Sequence, residues 1–317
     1  MLPHHISYID CKTPESVAKA IQTMALRGAP LIGCAAAYAM ALAARKASRR
    51  SLKKASELLR QARPTAVNLS HAIDCMLACS SRCAENKMAQ ELSVAAEKYF
   101  QADLTANFTM ARLGASLLEE YSNVITYCNA GALATSGLGT SLGVIRYGHK
   151  TGKIAHVYPC ETRPYLQGSR LTLWELMEAR VPATLITDNM AAHLMKTRKI
   201  GAVIVGSDRI AANADVCNKI GTYGLAILAK HHRIPFYVVA PTTTIDPSAL
   251  NGSHIPIEER SAAEVLQVQG RPIAPKGARA HHFAFDVTPH GLVTAIITEK
   301  GIIRPANRKN LKKVISC

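Results

Sequence analysis

From residue 123 onward the sequence alternates short β-branched runs with stretches whose apolar residues recur at helical spacing. Few folds accommodate that rhythm. The runs are Val124-Ile125-Thr126-Tyr127, Ile154 to Tyr158, Ala183 to Thr187, Ala202 to Val205 and Phe236 to Ala240. Between the later four lie Leu171 to Ala179, Met190 to Lys196 and Ile220 to His232, all with a helical pattern. The alternation indicates βαβ units and a parallel sheet covered on both faces. Asn251 to Ala280 is loop-rich, and Leu292 to Thr298 is a last helix or strand.

The first 120 residues read differently. Pro14-Glu15 opens a run through Val17, Ile21 and Met24, and Leu31 to Ala44 follows. A charged face then runs from Arg45 to Lys54, and Ala72 to Ala84 and Leu92 to Leu118 repeat Leu, Ala and Met every three or four residues. The expected class is α/β: a mainly helical N-terminal domain, residues 1–120, followed by a Rossmann-like domain, residues 121–317. A chain of 317 residues exceeds the roughly 100–200 of one compact domain, in keeping with that division. Leu31 to Ala44 falls short of the roughly 18–20 apolar residues of a membrane span, so it reads as a buried helix. Met1 to Asp10 carries polar residues where a secretory signal needs apolar ones. Nine cysteines without an export signal fit reduced thiols in a cytoplasm.

In an open parallel sheet the ligand crevice lies beyond the carboxyl ends of the strands. Each predicted strand ends in chemically useful residues: Cys128-Asn129, Cys160-Glu161, Asp188-Asn189, Ser207-Asp208 and Pro241-Thr242. Asp188 and Asn189 read as caps for the helix from Met190. Cys128 is followed by Asn129-Ala130-Gly131, then by Gly137, Gly139 and Gly143 among Thr and Ser. Small residues let a backbone approach a ligand, and a helix start there would receive phosphate and favour the thiolate. The alternative is a small buried hydrophobe. Asp208 follows an apolar strand and is either a partly desolvated proton donor or the ion-pair partner of Arg209. Lys219 falls in the first turn of the predicted helix to Lys230, where the helix dipole opposes a cation and an anionic ligand would hold it. Arg27-Gly28-Ala29-Pro30 likewise sets a cation and a glycine at a helix start.

Other patterns exclude more than they suggest. The glycines match neither G-x-G-x-x-G nor a GK[ST] loop, which argues against dinucleotides and nucleoside triphosphates. Cys75, Cys79 and Cys83 share one helix stripe without a C-x-x-C pair or a fourth ligand, and the paired histidines lack metal-site spacing, so no metal is expected. The net charge of +16 rests on helix faces and the C-terminus with few aromatics interleaved, which suits solubility and anionic substrates better than nucleic acid.

Six blocks occur in order: Arg27-Gly28-Ala29-Pro30, Arg63-Pro64-Thr65-Ala66-Val67-Asn68, Cys128-Asn129-Ala130-Gly131, Glu161-Thr162-Arg163-Pro164 with Gln167-Gly168, Asp208-Arg209-Ile210-Ala211, and Asn218-Lys219-Ile220-Gly221-Thr222. From about Ser16 to Ile303 the chain resembles the methylthioribose-1-phosphate isomerases of methionine salvage. Their wider superfamily includes ribose-1,5-bisphosphate isomerases and regulatory subunits of a translation-initiation exchange factor. The resemblance implies a helical N-terminal domain, a Rossmann-like C-terminal domain and a homodimer that takes a small phosphosugar; no cofactor is expected, and neither membrane nor nucleic acid as a partner. It implies Cys128 and Asp208 as the catalytic pair, with Arg27, Gly28, Ala29, Arg63, Gln167, Asn218 and Lys219 holding the substrate. The implied reaction is an aldose-to-ketose isomerisation of 5-methylthioribose 1-phosphate. The alternatives are 5-deoxyribose 1-phosphate or ribose 1,5-bisphosphate as substrate, and a non-catalytic regulatory subunit, a branch that generally lacks both Cys128 and Asp208. The DRIAAN block with Tyr223 resembles the methylthioribose branch more than the bisphosphate one. Departures are a start close to the RGAP block, implying a shortened N-terminal segment, Ser207 and Ala214 for the usual Ala and Gly, Cys160 before the ETRP block, and Ser70-His71 where an aromatic pair is common. The shortened segment and the Ser70-His71 pair bear on how the 5-substituent is enclosed.

Overall fold

The computed structural model describes residues 2–63 and 66–316. The chain opens with α1 (Pro14–Gln22), whose first turn is set by proline and by a reciprocal cap between Thr13 and Ser16. Helices α2 (Ala29–Ala44), α3 (Arg49–Ala62), α4 (Val67–Ser81) and α5 (Met88–Ala115) follow. Half of the residues of α2 are alanine, and eleven of its sixteen are buried, so it serves as the axis around which α1, α3, α4 and α5 gather. Helix α5 is long enough to belong to two cores. Met88, Leu92 and Ala96 face the helical bundle, whereas Ala106 and Met110 pack on the sheet.

The chain then runs through β1 (Ser122–Tyr127), α6 (Ser141–Lys150), β2 (Ile154–Pro159), α7 (Leu173–Glu178), α8 (Ala191–Thr197) and β3 (Ala202–Val205). After β4 (Arg209–Ala211), β5 (Val216–Lys219), α9 (Thr222–His231), β6 (Phe236–Val239) and β7 (Ile245–Asp246) comes an excursion of α10 (Ala263–Leu266), β8 (Gln267–Val268) and β9 (Arg271–Pro272). It closes with β10 (Phe285–Thr288), β11 (Ala295–Thr298), β12 (Gly301–Ile303) and α11 (Arg308–Ile315). The main sheet has six strands in the order β12-β11-β6-β3-β1-β2, parallel except for the edge pair β11–β12. Alternate residues face opposite ways. Ile125, Tyr127, Val203 and Val205 meet α8, α9 and α11, while Val124, Ala202 and Ile204 meet α5, α6 and α7. Both faces are therefore covered, and the strand order reverses between β1 and β3, where doubly wound sheets open a crevice. Among the described residues no helix is long and apolar enough to cross a membrane.

Three features depart from the sequence expectation. Ala183 to Thr187 runs beside β2 but forms only isolated bridges at Ala183 and Ile186. Its ladder bonds occur on either side of Pro159, which has no N–H to donate toward Thr184. Lys219 ends strand β5, held between β4 and β10, instead of opening the helix, which begins after Gly221. Beyond the parallel sheet stands a second sheet, β10-β5-β4-β7, built from residues whose short runs carry no periodic signal.

The seam between bundle and sheet is tight where α5 crosses α6. A Cβ on Gly114 would collide with the Val144 side chain. Gly→Ala in a helix normally stabilises by about 1 kcal/mol, whereas overpacking costs about 1–3. Gly114→Ala should therefore lower stability in urea unfolding, and the same change in a Val144→Ala background should raise it.

Candidate functional site

The crossover of strand order brings two loops together. After β1 the backbone turns sharply at Cys128, which takes a left-handed conformation with φ of 62°. A non-glycine residue holds that conformation only when neighbours fix it. The Cys128 N–H donates to Thr162 Oγ1 at 2.9 Å, and its carbonyl accepts from Thr172 Oγ1 at 2.5 Å. After β3, Gly206 lets the second loop press against the first, for a Cβ there would lie 2.7 Å from that of Ala130. The Asp208 N–H then donates to the Cys217 carbonyl at 3.0 Å, tying the loop to β5.

Between these loops lies a cleft of about 640 Å³, including its open mouth. Cys128, Asp208, Arg27, Gly28, Ala29, Arg63, Gln167, Asn218 and Lys219 all line it. They arrive from widely separated elements. Arg27 and Gly28 stand at the start of α2, where Gly28 has φ of 94° and approaches Ala134 so closely that a Cβ would sit 2.5 Å away. Arg27 is 8% exposed, and its guanidinium donates to both the carbonyl and the side-chain oxygen of Asn129. Lys219 donates Nζ to the Ala284 carbonyl at 2.8 Å and lies 4.4 Å from the centre of the Phe285 ring. Arg63 stacks over the same ring at 5.9 Å. Asn218 donates to Thr222 Oγ1, and the buried Oε1 of Gln167 has no hydrogen-bond partner among the described residues.

Burial and charge oppose each other here. Burial pushes the Cys128 thiol and the Asp208 carboxyl above their ordinary values, while Lys219 and Arg27 pull both down and Arg63 adds to the pull on Asp208. Burial in turn depresses the Lys219 ammonium and the Arg27 guanidinium, against the attraction of Cys128 and Asp208. The cleft thus holds three cations beside one carboxyl and one thiol, a surplus suited to an anionic ligand. A second, mainly apolar recess adjoins it and shares Ala29, Arg63, Asp208 and Phe285. Its further walls are Ile32, Ala66, Ile255, Pro256, Arg209 and Cys217.

Several expectations need correction. No helix begins directly after Cys128, so burial raises its pKa where a helix start would have lowered it. Asp188 does not cap α8; its carboxylate accepts from the N–H groups of Thr162 and Arg163 and shapes the ETRP turn. Arg209 pairs with Asp246 at 3.3 Å. Ser70 and His71 do not line the cleft, and His71 is exposed on α4 beside Tyr99. Cys160 is fully buried in the sheet core. Ser207 lines the cleft, and Ala214 takes a φ of 75°, a conformation that favours glycine. Pro64 and Thr65 of the RPTAVN block lie outside the described residues. Among the described residues no three His, Cys, Asp or Glu side chains gather as a metal site.

Sequence reasoning overlooked Phe285, the ring beneath two cations, and Glu175, a buried carboxylate behind Asn129. Phe285 sits in a region read as loop-rich or unassigned, and Glu175 in a short helix that looks like any other from its pattern.

Residues 25–305 match the model of the IF-2B family, described as the initiation factor 2 subunit family. The chain is 50% identical to a methylthioribose-1-phosphate isomerase of Pelotomaculum thermopropionicum over 99% of its own length and 89% of that protein. It is similar to the crystal structure of 5-methylthioribose 1-phosphate isomerase from Pyrococcus horikoshii OT3, with a TM-score of 0.92, 43% identity, and 99% and 91% of the two chains covered. It is similar as well to the translation initiation factor eIF-2B, subunit delta, from A. fulgidus, with a TM-score of 0.88, 44% identity, and 100% and 95% covered. The chain belongs to the initiation factor 2 subunit family, and its full-length likeness extends to that family's methylthioribose-1-phosphate isomerases.

Proposed function

We propose that the cleft isomerises 5-methylthioribose 1-phosphate to 5-methylthioribulose 1-phosphate, a step of methionine salvage. The observation that carries this reading is a thiol and a carboxyl group lining one cleft rich in cations, at the crossover of a doubly wound sheet. Arg27, Gly28 and Ala29 bind the phosphate at the start of α2, where free N–H groups and the helix dipole favour an anion. Arg63, Gln167, Asn218 and Lys219 hold the sugar, with the unpartnered Gln167 Oε1 ready to accept from a hydroxyl. The recess walled by Ile32, Ile255, Pro256 and Phe285, with Arg63, Asp208 and Arg209 also in its lining, takes the 5-substituent.

Phosphate on the anomeric oxygen prevents the spontaneous opening that free sugars undergo. Asp208 supplies the missing step by giving its proton to the ring oxygen, which becomes the C4 hydroxyl as the ring opens with phosphate attached. The hydrogen on C2 passes to C1, and the C2 hydroxyl gives up its proton as C2 becomes the ketone, the proton returning to the Asp208 carboxylate so that the acid is restored. Cys128 handles hydrogen at C1–C2 or stabilises the transition state there. Burial raises the pKa of the Asp208 carboxyl, against the pull of Lys219, Arg63 and Arg27, which is the direction an acid role needs. A homodimer, on the strength of the resemblance, and a cytoplasmic setting, on the strength of the reduced thiols, complete the reading, and sedimentation at twice the chain mass checks the assembly.

Cys128→Ala and Asp208→Asn should each keep the fold by circular dichroism and lose about 100-fold or more in kcat. Wild-type turnover in either removes that residue from the mechanism. Because Asp208 must be protonated to act, kcat should fall as pH rises through its raised pKa. That alkaline limb should be missing from the residual activity of Asp208→Asn. Of three phosphosugars, the methylthio compound should give the highest kcat/KM. The 5-deoxy sugar should trail by about 10–200-fold, the range one small apolar group supports. A preference for ribose 1,5-bisphosphate overturns the pathway, and no turnover of any sugar leaves a regulatory subunit as the better description.

A further inference from the structure

Behind the cleft wall stands a carboxylate that the reaction itself does not use. Glu175, on α7, is 5% exposed. Its Oε1 accepts from Asn129 Nδ2 at 2.9 Å and from the Leu133 N–H at 3.3 Å. Its Oε2 accepts from the Ala132 N–H at 2.7 Å. These donors all belong to the loop that begins at Cys128, and they replace the hydration lost on burial. Gly131 makes the wrap possible, because a Cβ at that position would collide with the carboxylate.

The consequence reaches Arg27 through Asn129. A side-chain amide presents two donors on one side and an acceptor on the other, and flipping it exchanges them. Asn129 Nδ2 faces Glu175 and also Thr172 Oγ1 at 3.1 Å. The Thr172 hydroxyl already donates its proton to the Cys128 carbonyl, so Thr172 can only accept from Asn129. Both neighbours therefore demand the donor side of the amide, which turns Asn129 Oδ1 toward the Arg27 guanidinium. Arg27 is almost wholly buried and lines the cleft, so that oxygen, together with the Asn129 carbonyl, sets where its remaining N–H groups aim.

We propose that Glu175 is a positioning residue: it fixes the Asn129 amide and thereby aims Arg27 at the substrate phosphate. This rests on the phosphosugar-isomerase reading. Glu175→Gln preserves size but replaces one of the two acceptor oxygens with an amide donor, which opposes the Asn129 and Leu133 donors when turned to them and the Ala132 N–H when turned the other way. The KM for 5-methylthioribose 1-phosphate and the inhibition constant of inorganic phosphate should both rise about 10-fold, with kcat changed about threefold or less. Asn129→Asp alone sets two carboxylates against each other and should weaken phosphate binding to a similar degree. Combining Glu175→Gln with Asn129→Asp restores a donor–acceptor chain once the Thr172 hydroxyl turns from the Cys128 carbonyl to the new carboxylate, because the new amide donates to that carboxylate and the carboxylate accepts from Arg27. The double variant should bring the phosphate constant back to within about threefold of wild type. A KM and a phosphate constant that rise while kcat holds are what a merely structural loosening of the loop, which carries Cys128, would not produce. Unchanged KM and phosphate constants in a folded Glu175→Gln overturn the proposal, as does a double variant no better than either single one. If Glu175→Gln alone does not fold, the phosphate constant of the double variant decides by the same threshold. A wild type that turns over no phosphosugar overturns the functional reading and this inference together, whereas an active wild type beside indifferent variants overturns this inference alone.

Discussion

The strand order of the parallel sheet reverses between β1 and β3, and the cleft exists because of that crossing. Chain leaving β1 departs to one face of the sheet and chain leaving β3 to the other, so their first residues stand on either side of a gap. Cys128 is the first residue after β1, and Asp208 follows β3 by three. Two groups eighty positions apart are thus neighbours by topology, before any side-chain preference is considered. The left-handed backbone at Cys128 and the bare α-carbon of Gly206 close the remaining distance.

A crevice at a sheet edge is partly dry, and dryness sets its chemistry. Burial alone would neutralise every ionisable group in it. The groups instead answer one another: Lys219 and Arg27 restrain the rise of the thiol and carboxyl, and those in turn restrain the fall of the cations. Phe285 adds an apolar ring beneath Lys219 and Arg63, holding both cations without neutralising them. Positive charge is thereby kept available for a ligand, which a conventional surface ion pair would have consumed. Glu175 belongs to the same set of contacts, because it satisfies the loop from behind and leaves the front of Arg27 open.

How much of this is legible in the sequence depends on where periodicity operates. The βαβ rhythm exposes the parallel strands because each is an apolar run bounded by turns, and the helical first part is equally plain. The small sheet β10-β5-β4-β7 is not visible there, since strands of two to four residues carry no readable period. Lys219 falls to the wrong element for that reason. Asp188 follows the pattern of a helix cap, yet its carboxylate is used on a turn 25 residues earlier, a tertiary contact that local spacing cannot encode. Ordered motif blocks name nine residues that line a single cleft, whereas Phe285 and Glu175 owe their place to contacts across the fold.

The central claim is that Cys128 and Asp208 act on one sugar ring anchored by phosphate at the start of α2. A crystal structure of the Cys128→Ala protein with 5-methylthioribose 1-phosphate tests it most directly. The account predicts phosphate oxygens on Arg27 and on the Gly28 and Ala29 N–H groups, with the ring oxygen within hydrogen-bond distance of the Asp208 carboxyl and C2 facing residue 128. A sugar bound with its ring turned away from Asp208, or a phosphate seated outside the cleft, would contradict it.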